Sequence, residues 1–358
     1  MYKRQHPPGH LPQASTVHHG FANALADALI KVTQPQEPEA RQQHVRKLMK
    51  ISAVTLPDAS REPGYATRTQ ERINTFNTTS PTSYTPFNTS KTCPQRTLTT
   101  QQKAGRIQTL VRRGCITKAS RLLVGAKVVP AVGSTLDTLC NLHPHEPPIQ
   151  DPLPHVDVPF LMRHLDTALT DLPTRAAPGM SGMTLSHIKD ACKQDRRCKQ
   201  ALHDHIKAMH NKSLPRLEDL TDCDGLPFGR DEDDKIRPIA VSEAIYRIAS
   251  KCAITMVHDH EVSLSPLQHA FGVSGGPSIV AHALRAAITH DPSTVILSAD
   301  FKNAFNTLTR ASILQAIRSS CPYLQPYFHF AYGAPSKVFF RGMAPNTCLL
   351  YTSPSPRD

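Results

Sequence analysis

VILSADFKNAFN, residues 295–306, is the stretch on which the reading of this chain turns. Val295, Ile296 and Leu297 form an apolar run that reads as a buried strand, and it delivers one carboxylate, Asp300, at its C-terminal end. Phe305 follows five residues later, and the next segment, TRASILQAIRSS, has helical texture. A carboxylate at a strand end, with backbone and an aromatic ring close behind, suits a site where metal ions meet a nucleotide. Hard cations need oxygen ligands on a rigid support, and a sheet supplies one. The same pattern also fits a strand followed by a capped helix with no chemistry attached.

Three other segments carry groups of interest. In DDKIRPIAV, Lys235 and Arg237 alternate along an expected strand and so share a face. Two cations on one strand face can hold a triphosphate, Arg by forked contacts and Lys as a point charge. They can equally pair with the acidic run at 231–234, which otherwise reads as a solvated loop. In QHAFGVSGGPSIVAHALR, Gly272, Gly275 and Gly276 allow a nucleic-acid backbone to approach, or simply turn the chain into a helix over 278–289. In GAPSKVFFRG, Lys337 and Arg341 flank Phe339 and Phe340 in a strand-like run suited to core packing or to base stacking.

Taken together, these segments resemble the motifs of reverse transcriptases, specifically of non-LTR (LINE-type) retrotransposon polymerases. The 295–306 stretch resembles motif A. KIRPIAVSEAIYRIASK (235–251) resembles the fingers motif, and the Gln-plus-glycine segment (268–285) the one that precedes motif A. AAPGMSGMT (176–184) is similar to the family's APG-x-SG-x-[ST] segment, and GAPSKVFFRG (333–342) to its strand before motif B. The resemblance implies an RNA-directed DNA polymerase with RNA template, DNA primer and dNTPs as partners and two Mg2+ ions as cofactors. It implies that Asp300 is the catalytic metal ligand, that Phe301 offers a backbone carbonyl to the metal, and that Phe305 gates against a 2′-hydroxyl. It assigns Arg237, and with it Lys235, to the dNTP phosphates. Gln268, Gly275 and Gly276 fall near the template and primer surface, while Arg285, further along the same helix, reads as a surface or a template-side cation. Ser278 departs from the pattern, since many relatives carry Glu there. Motifs B and C, with the remaining catalytic carboxylates, have no counterpart after Gly342. The closing stretch MAPNTCLLYTSPSPRD has no core pattern and, like the opening MYKRQ, reads as non-native sequence.

Charge supports a polyanion partner. Residues 1–150 carry 19 Lys and Arg against 8 Asp and Glu, a net +11, while residues 151–358 carry 22 against 21. Nine cysteines show no Cys-x2-Cys pair, which argues against a zinc site and fits free thiols in a reducing compartment. Neither an apolar signal region nor a membrane-length run is seen, so the expected setting is the nucleus or cytoplasm.

The expected fold class is α+β: a partial right-hand polymerase preceded by a short helical array and a largely disordered basic region. Residues 1–100, polar and proline-punctuated, are expected to lack a packed core, with weak helical spacing only around Phe21 to Ile30 and Leu48 to Val54. Residues 101–150 read as short helices, 157–342 as fingers and partial palm, and 343–358 as a non-native tail. A single helix is expected from Leu185 to Met209, and Ser242 as the cap of the helix after the RPIAV strand. The second function class that the sequence allows is a non-catalytic basic nucleic-acid-binding module with a relic polymerase domain.

Overall fold

The computed structural model describes residues 15–56, 64–84, 99–112, 119–120, 122–123, 127–128, 133–142, 146–150, 156–174, 176–215, 217, 221, 223–229, 236–259, 268–269, 273–299, 307–340 and 349–351. The molecule is helix-rich with few strands, and one small sheet gathers those strands.

The N-terminal segment overturns the expectation of disorder. Helices α1 (Ser15–Thr33), α2 (Pro38–Thr55) and α3 (Tyr65–Thr78) pack on one another around a closed core. In α1, Phe21, Leu25, Leu29 and Val32 are buried, and so are the alanines at 22, 24, 26 and 28 that lie around them. Only the stripe through His19, Asn23, Asp27 and Lys31 stays exposed, so α1 needs neighbours on its other sides. It also packs against α7 (Leu185–Gln194) and α8 (Arg196–His210), which belong to the second half of the chain. Each large apolar side chain so enclosed contributes about 1.5–3 kcal/mol. Composition averaged over 100 residues conceals this, because the apolar residues are concentrated in a few helical turns.

The α7–α8 pair corrects a second expectation. Residues 185–209 are not one helix: Asp195 breaks the run in extended conformation (φ −138°, ψ 116°) and caps α8 by accepting the Arg197 amide at 2.7 Å. Thr184 opens α7, accepting the His187 amide at 3.2 Å. Helix α6 (Met162–Asp171) lies against α9 (Ala244–Asp259), where Lys251 and Asp171 pair at 3.0 Å. The remaining helices are α4 (Thr100–Arg112), α5 (Ser134–Leu142), α10 (Gly276–His290), α11 (Arg310–Ser320) and α12 (Gln325–Tyr332). No helix among the described residues is long and apolar enough to cross a membrane.

The sheet is built on β2 (Cys223–Gly229). β3 (Ile236–Val241) runs antiparallel along one edge, from Asp224 opposite Val241 to Gly229 opposite Ile236. On the other edge β4 (Ser336–Phe340) runs parallel to the start of β2, and the two-residue β1 (Lys127–Val128) pairs with its end. The connection from β2 to β3 at 230–235, which holds the acidic run, lies outside the described residues. β5 (Leu349–Tyr351) pairs antiparallel with β4, so the supposed coreless tail includes residues that extend the sheet.

Between these elements runs a column of buried rings. His210 stacks on Tyr327 with centroids 4.3 Å apart and on Phe160 at 5.0 Å. Its Nε2 faces the Ala249 carbonyl at 3.0 Å, an acceptor, so Nε2 carries the proton and donates. His205 meets the Thr33 hydroxyl at 2.9 Å, joining α8 to the end of α1. Burial lowers the pKa of His205 to about 4, and burial also takes His210 down to about 3. The unfolded chain takes up both protons near 6.5 while the folded chain resists them. Stability from these histidines is therefore complete above pH 6.5 and is lost as pH falls through 6.5 toward 4 and 3. Urea unfolding as a function of pH should show this loss, on the order of 3 kcal/mol per histidine. His205→Leu should flatten the profile below pH 6; an unchanged slope would show that His205 is not held neutral.

Candidate functional site

The strand expected to carry the phosphate-binding cations is present as β3. Arg237 sits opposite Phe228 of β2, and Pro238 faces Pro227 at the next pair, where neither residue can donate to the ladder. Lys235 precedes the strand and lies outside the described residues.

Beyond Val241 the chain turns into α9 through Ser242 and Glu243. Ser242 does not cap α9: its hydroxyl is buried and finds no hydrogen-bond partner among the described residues. The helix instead starts on Glu243, whose carbonyl accepts the Arg247 amide at 3.0 Å. The Glu243 side chain, 2% exposed, reaches away from its own helix into the 176–184 loop. One carboxylate oxygen accepts the Ser181 amide at 2.8 Å, and the other accepts the Ser181 hydroxyl at 2.5 Å. The same hydroxyl accepts the Met183 amide at 3.0 Å, so Ser181 both donates and receives. A second tie lies one turn further along α9, where the Arg247 guanidinium donates to the Ala177 carbonyl at 2.7 Å.

These contacts offset a substantial penalty. A carboxylate removed from water costs several kcal/mol unless donors replace the lost hydration. Here two donors do so, and the carboxylate also sits at the N-terminal end of α9, where the aligned peptide dipoles favour negative charge. The approach is close enough to dictate sequence. A Cβ on Gly179 would lie 2.6 Å from a carboxylate oxygen of Glu243 and 3.0 Å from its Cα.

The glycine segment ahead of α10 has a similarly local logic. Gly275 adopts φ +69° at the helix start, and a Cβ on Gly276 would fall 1.7 Å from the His269 carbonyl oxygen. Both glycines thus serve the turn itself, and Gln268 lies half-buried beside it. Arg285 is exposed on α10 among Ile279, Val280, Leu284 and Ile288, which are exposed too.

The 295–306 stretch departs from the expectation. Val295, Ile296 and Leu297 form no strand and are 89%, 47% and 91% exposed. An apolar run becomes a buried strand only where a neighbouring strand accepts its hydrogen bonds, and here none of the described strands pairs with it. Asp300, Phe301 and Phe305 lie outside the described residues. Among the described residues no group of three His, Cys, Asp or Glu side chains is placed to hold a metal ion. The structure therefore places β3 and the two glycine-containing segments, and gives no geometry for the carboxylate.

Two features escaped sequence reasoning. Glu243 and Ser181 lie inside segments singled out above, yet they are separated by 62 residues, and no local spacing connects them. Buried Arg310, at the first position of α11, donates to the carbonyls of Glu146 at 3.1 Å and Pro147 at 3.0 Å, and its amide donates to the Glu146 carboxylate at 3.0 Å. With the Ile149 amide on the Gly333 carbonyl at 2.8 Å, this fastens the 146–150 segment across the second half of the chain. An arginine just after a Thr cap reads as a surface residue, so the sequence holds no signal for it.

No known protein-family model matches the chain, and no curated protein is similar to it in sequence.

The contact at Gly179 is open to a direct check. Gly179→Ala should lower the urea-unfolding free energy by about 1–3 kcal/mol, the usual cost of overpacking a filled site. A midpoint equal to that of the unsubstituted chain would mean that the loop does not close on Glu243.

Proposed function

We propose that the chain comprises the fingers and the first part of the palm of an RNA-directed DNA polymerase from a non-LTR retroelement. The observation that carries this reading is the contact between two motif-like segments far apart in sequence. The APGMSG loop and the strand–helix unit RPIAVSEAIYR are joined through Ser181 and Glu243, as parts of one functional unit would be. The motif order along the chain supports the same reading.

In the proposed reaction the 3′-hydroxyl of a DNA primer, paired to an RNA template, attacks the α-phosphate of a dNTP, and pyrophosphate leaves. Arg237, with Lys235, holds the triphosphate by charge-assisted hydrogen bonds and keeps the α-phosphate in line with the primer. Phe305 packs under the sugar and excludes a 2′-hydroxyl. Gln268 and the turn at Gly275 and Gly276 border the template and primer, with Arg285 on the template side. Asp300 and the Phe301 carbonyl are the groups this chain offers to magnesium, which when bound would supply charge neutralisation at the phosphates. One carboxylate cannot hold two ions at the separation of about 4 Å that such chemistry needs.

Primer extension on an RNA template tests the proposal. The 358-residue chain should incorporate no nucleotide. In a chain that also carries the motif C carboxylates, Asp300→Ala should abolish incorporation and Phe305→Ala should admit ribonucleotides. Arg237→Ala should chiefly raise KM for dNTP, since a triphosphate contact contributes to substrate binding. Undiminished incorporation by Asp300→Ala would overturn the assignment.

A further inference from the structure

We infer that Cys192 and Cys198 are a redox-closable thiol pair: reaction with a small-molecule disulfide joins them and locks the elbow between α7 and α8. The inference concerns a site outside the nucleotide-binding segments and is independent of the polymerase reading.

The fold creates the pair. In one unbroken helix, residues six positions apart lie about 9 Å apart along the axis and point in different directions. Here Asp195 interrupts the run in extended conformation, and α8 starts directly after it and packs against α7. The elbow brings Cys192, in the last turn of α7, and Cys198, in the first turn of α8, into a thiol–thiol hydrogen bond. Both are free thiols within the apolar core, Cys192 at 8% exposure and Cys198 at 0%. Two sulfurs already in contact, on helices joined through a single extended residue, need little movement to form a bond that holds its Cα atoms about 4.4–6.8 Å apart.

The two sulfurs differ in the roles open to them. The hydrogen bond with Cys192, and after it burial, raises the pKa of the Cys198 thiol, so Cys198 keeps its proton and donates. Cys192 is the less buried of the two and meets the reagent first. Its thiolate attacks one sulfur of the small-molecule disulfide, and a mixed disulfide forms as one small thiol leaves. The Cys198 sulfur then gives up its proton and displaces the second small thiol, forming the Cys192–Cys198 bond. Both protons leave on the two small thiols; the two cysteines are oxidised and the added disulfide is reduced. Burial makes the reaction slow, so the pair answers a sustained change in thiol–disulfide balance. The elbow is also where α1 is attached. Arg197, beside Cys198, pairs with Asp27 of α1, and Phe21 of α1 meets the His187 ring of α7 edge-on at 6.1 Å. A bond across the elbow therefore stiffens the junction between the N-terminal helices and the rest of the chain.

The test exposes the folded 358-residue chain to mixtures of reduced and oxidised glutathione, followed by acid quenching, alkylation of the remaining thiols and peptide mass mapping. With oxidised glutathione in excess, Cys192 and Cys198 should escape alkylation together, joined to each other and two hydrogen masses below the reduced pair. In Cys198→Ser a glutathione adduct should persist on Cys192. In Cys192→Ser the thiol at 198 should carry no adduct. Circular dichroism melts establish that each variant is folded, and alanine replaces serine in any that is not. Hydrogen exchange of the Arg197 amide, which lies inside the closed loop, should slow by about tenfold in the joined chain. Two alkylatable thiols in the folded wild-type chain, while exposed Cys140 takes up glutathione, overturn the pair. So does linkage of Cys192 or Cys198 to another cysteine, and an Arg197 exchange rate unchanged by the bond overturns the lock.

Discussion

A single buried carboxylate holds the two halves of the candidate site together. Glu243 accepts both donors of Ser181 from a loop 62 residues earlier in the chain, and through that contact the end of β3, the start of α9 and the 176–184 loop become one unit. Apolar packing alone would leave this junction able to slide, because contacts among aliphatic side chains are nearly indifferent to small shifts. A desolvated charge is not indifferent, since losing its donors costs several kcal/mol. The glycine at 179 is the steric counterpart of that contact, and the Arg247 bond to Ala177 supplies a second point of attachment.

The rest of the fold is arranged to support this junction from below. α9 is held against α6 and α8, α8 carries α12 on the His210–Tyr327 stack, and the far side of α7 and α8 is closed by α1. The N-terminal helices are therefore part of the core and not an appendage. The ion pair between Arg197 and Asp27 at the rim of this contact is half-exposed and adds little, whereas the enclosed faces of Phe21, Leu25 and Leu29 carry the association.

What the sequence revealed followed from local rules. β3 and β4 fall where β-branched and aromatic runs lie between turns, and α10 begins at the Gly-Gly-Pro that specifies its start. The break at Asp195 was hidden because the helical spacing of apolar residues continues through it while the cap acts on the backbone. The N-terminal core was hidden by averaging, since α1 is rich in apolar residues while α2 and α3 are polar outside the one face each buries. The Val295–Leu297 run carries the composition of a buried strand without a described partner to bury it, and composition cannot report a partner. The Ser181–Glu243 contact was out of reach for a different reason: it exists only once tertiary structure brings 181 beside 243, and each residue alone is unremarkable in its own segment.

The Ser181 amide offers the most direct measurement of this junction. Its donation to Glu243 predicts slow hydrogen–deuterium exchange in the intact chain, well below the rate of an exposed loop amide. In Glu243→Ala the Ser181 amide should exchange far faster, while amides in α1 keep their protection. Fast exchange at Ser181 in the intact chain, or protection unaffected by loss of the Glu243 carboxylate, would contradict the account.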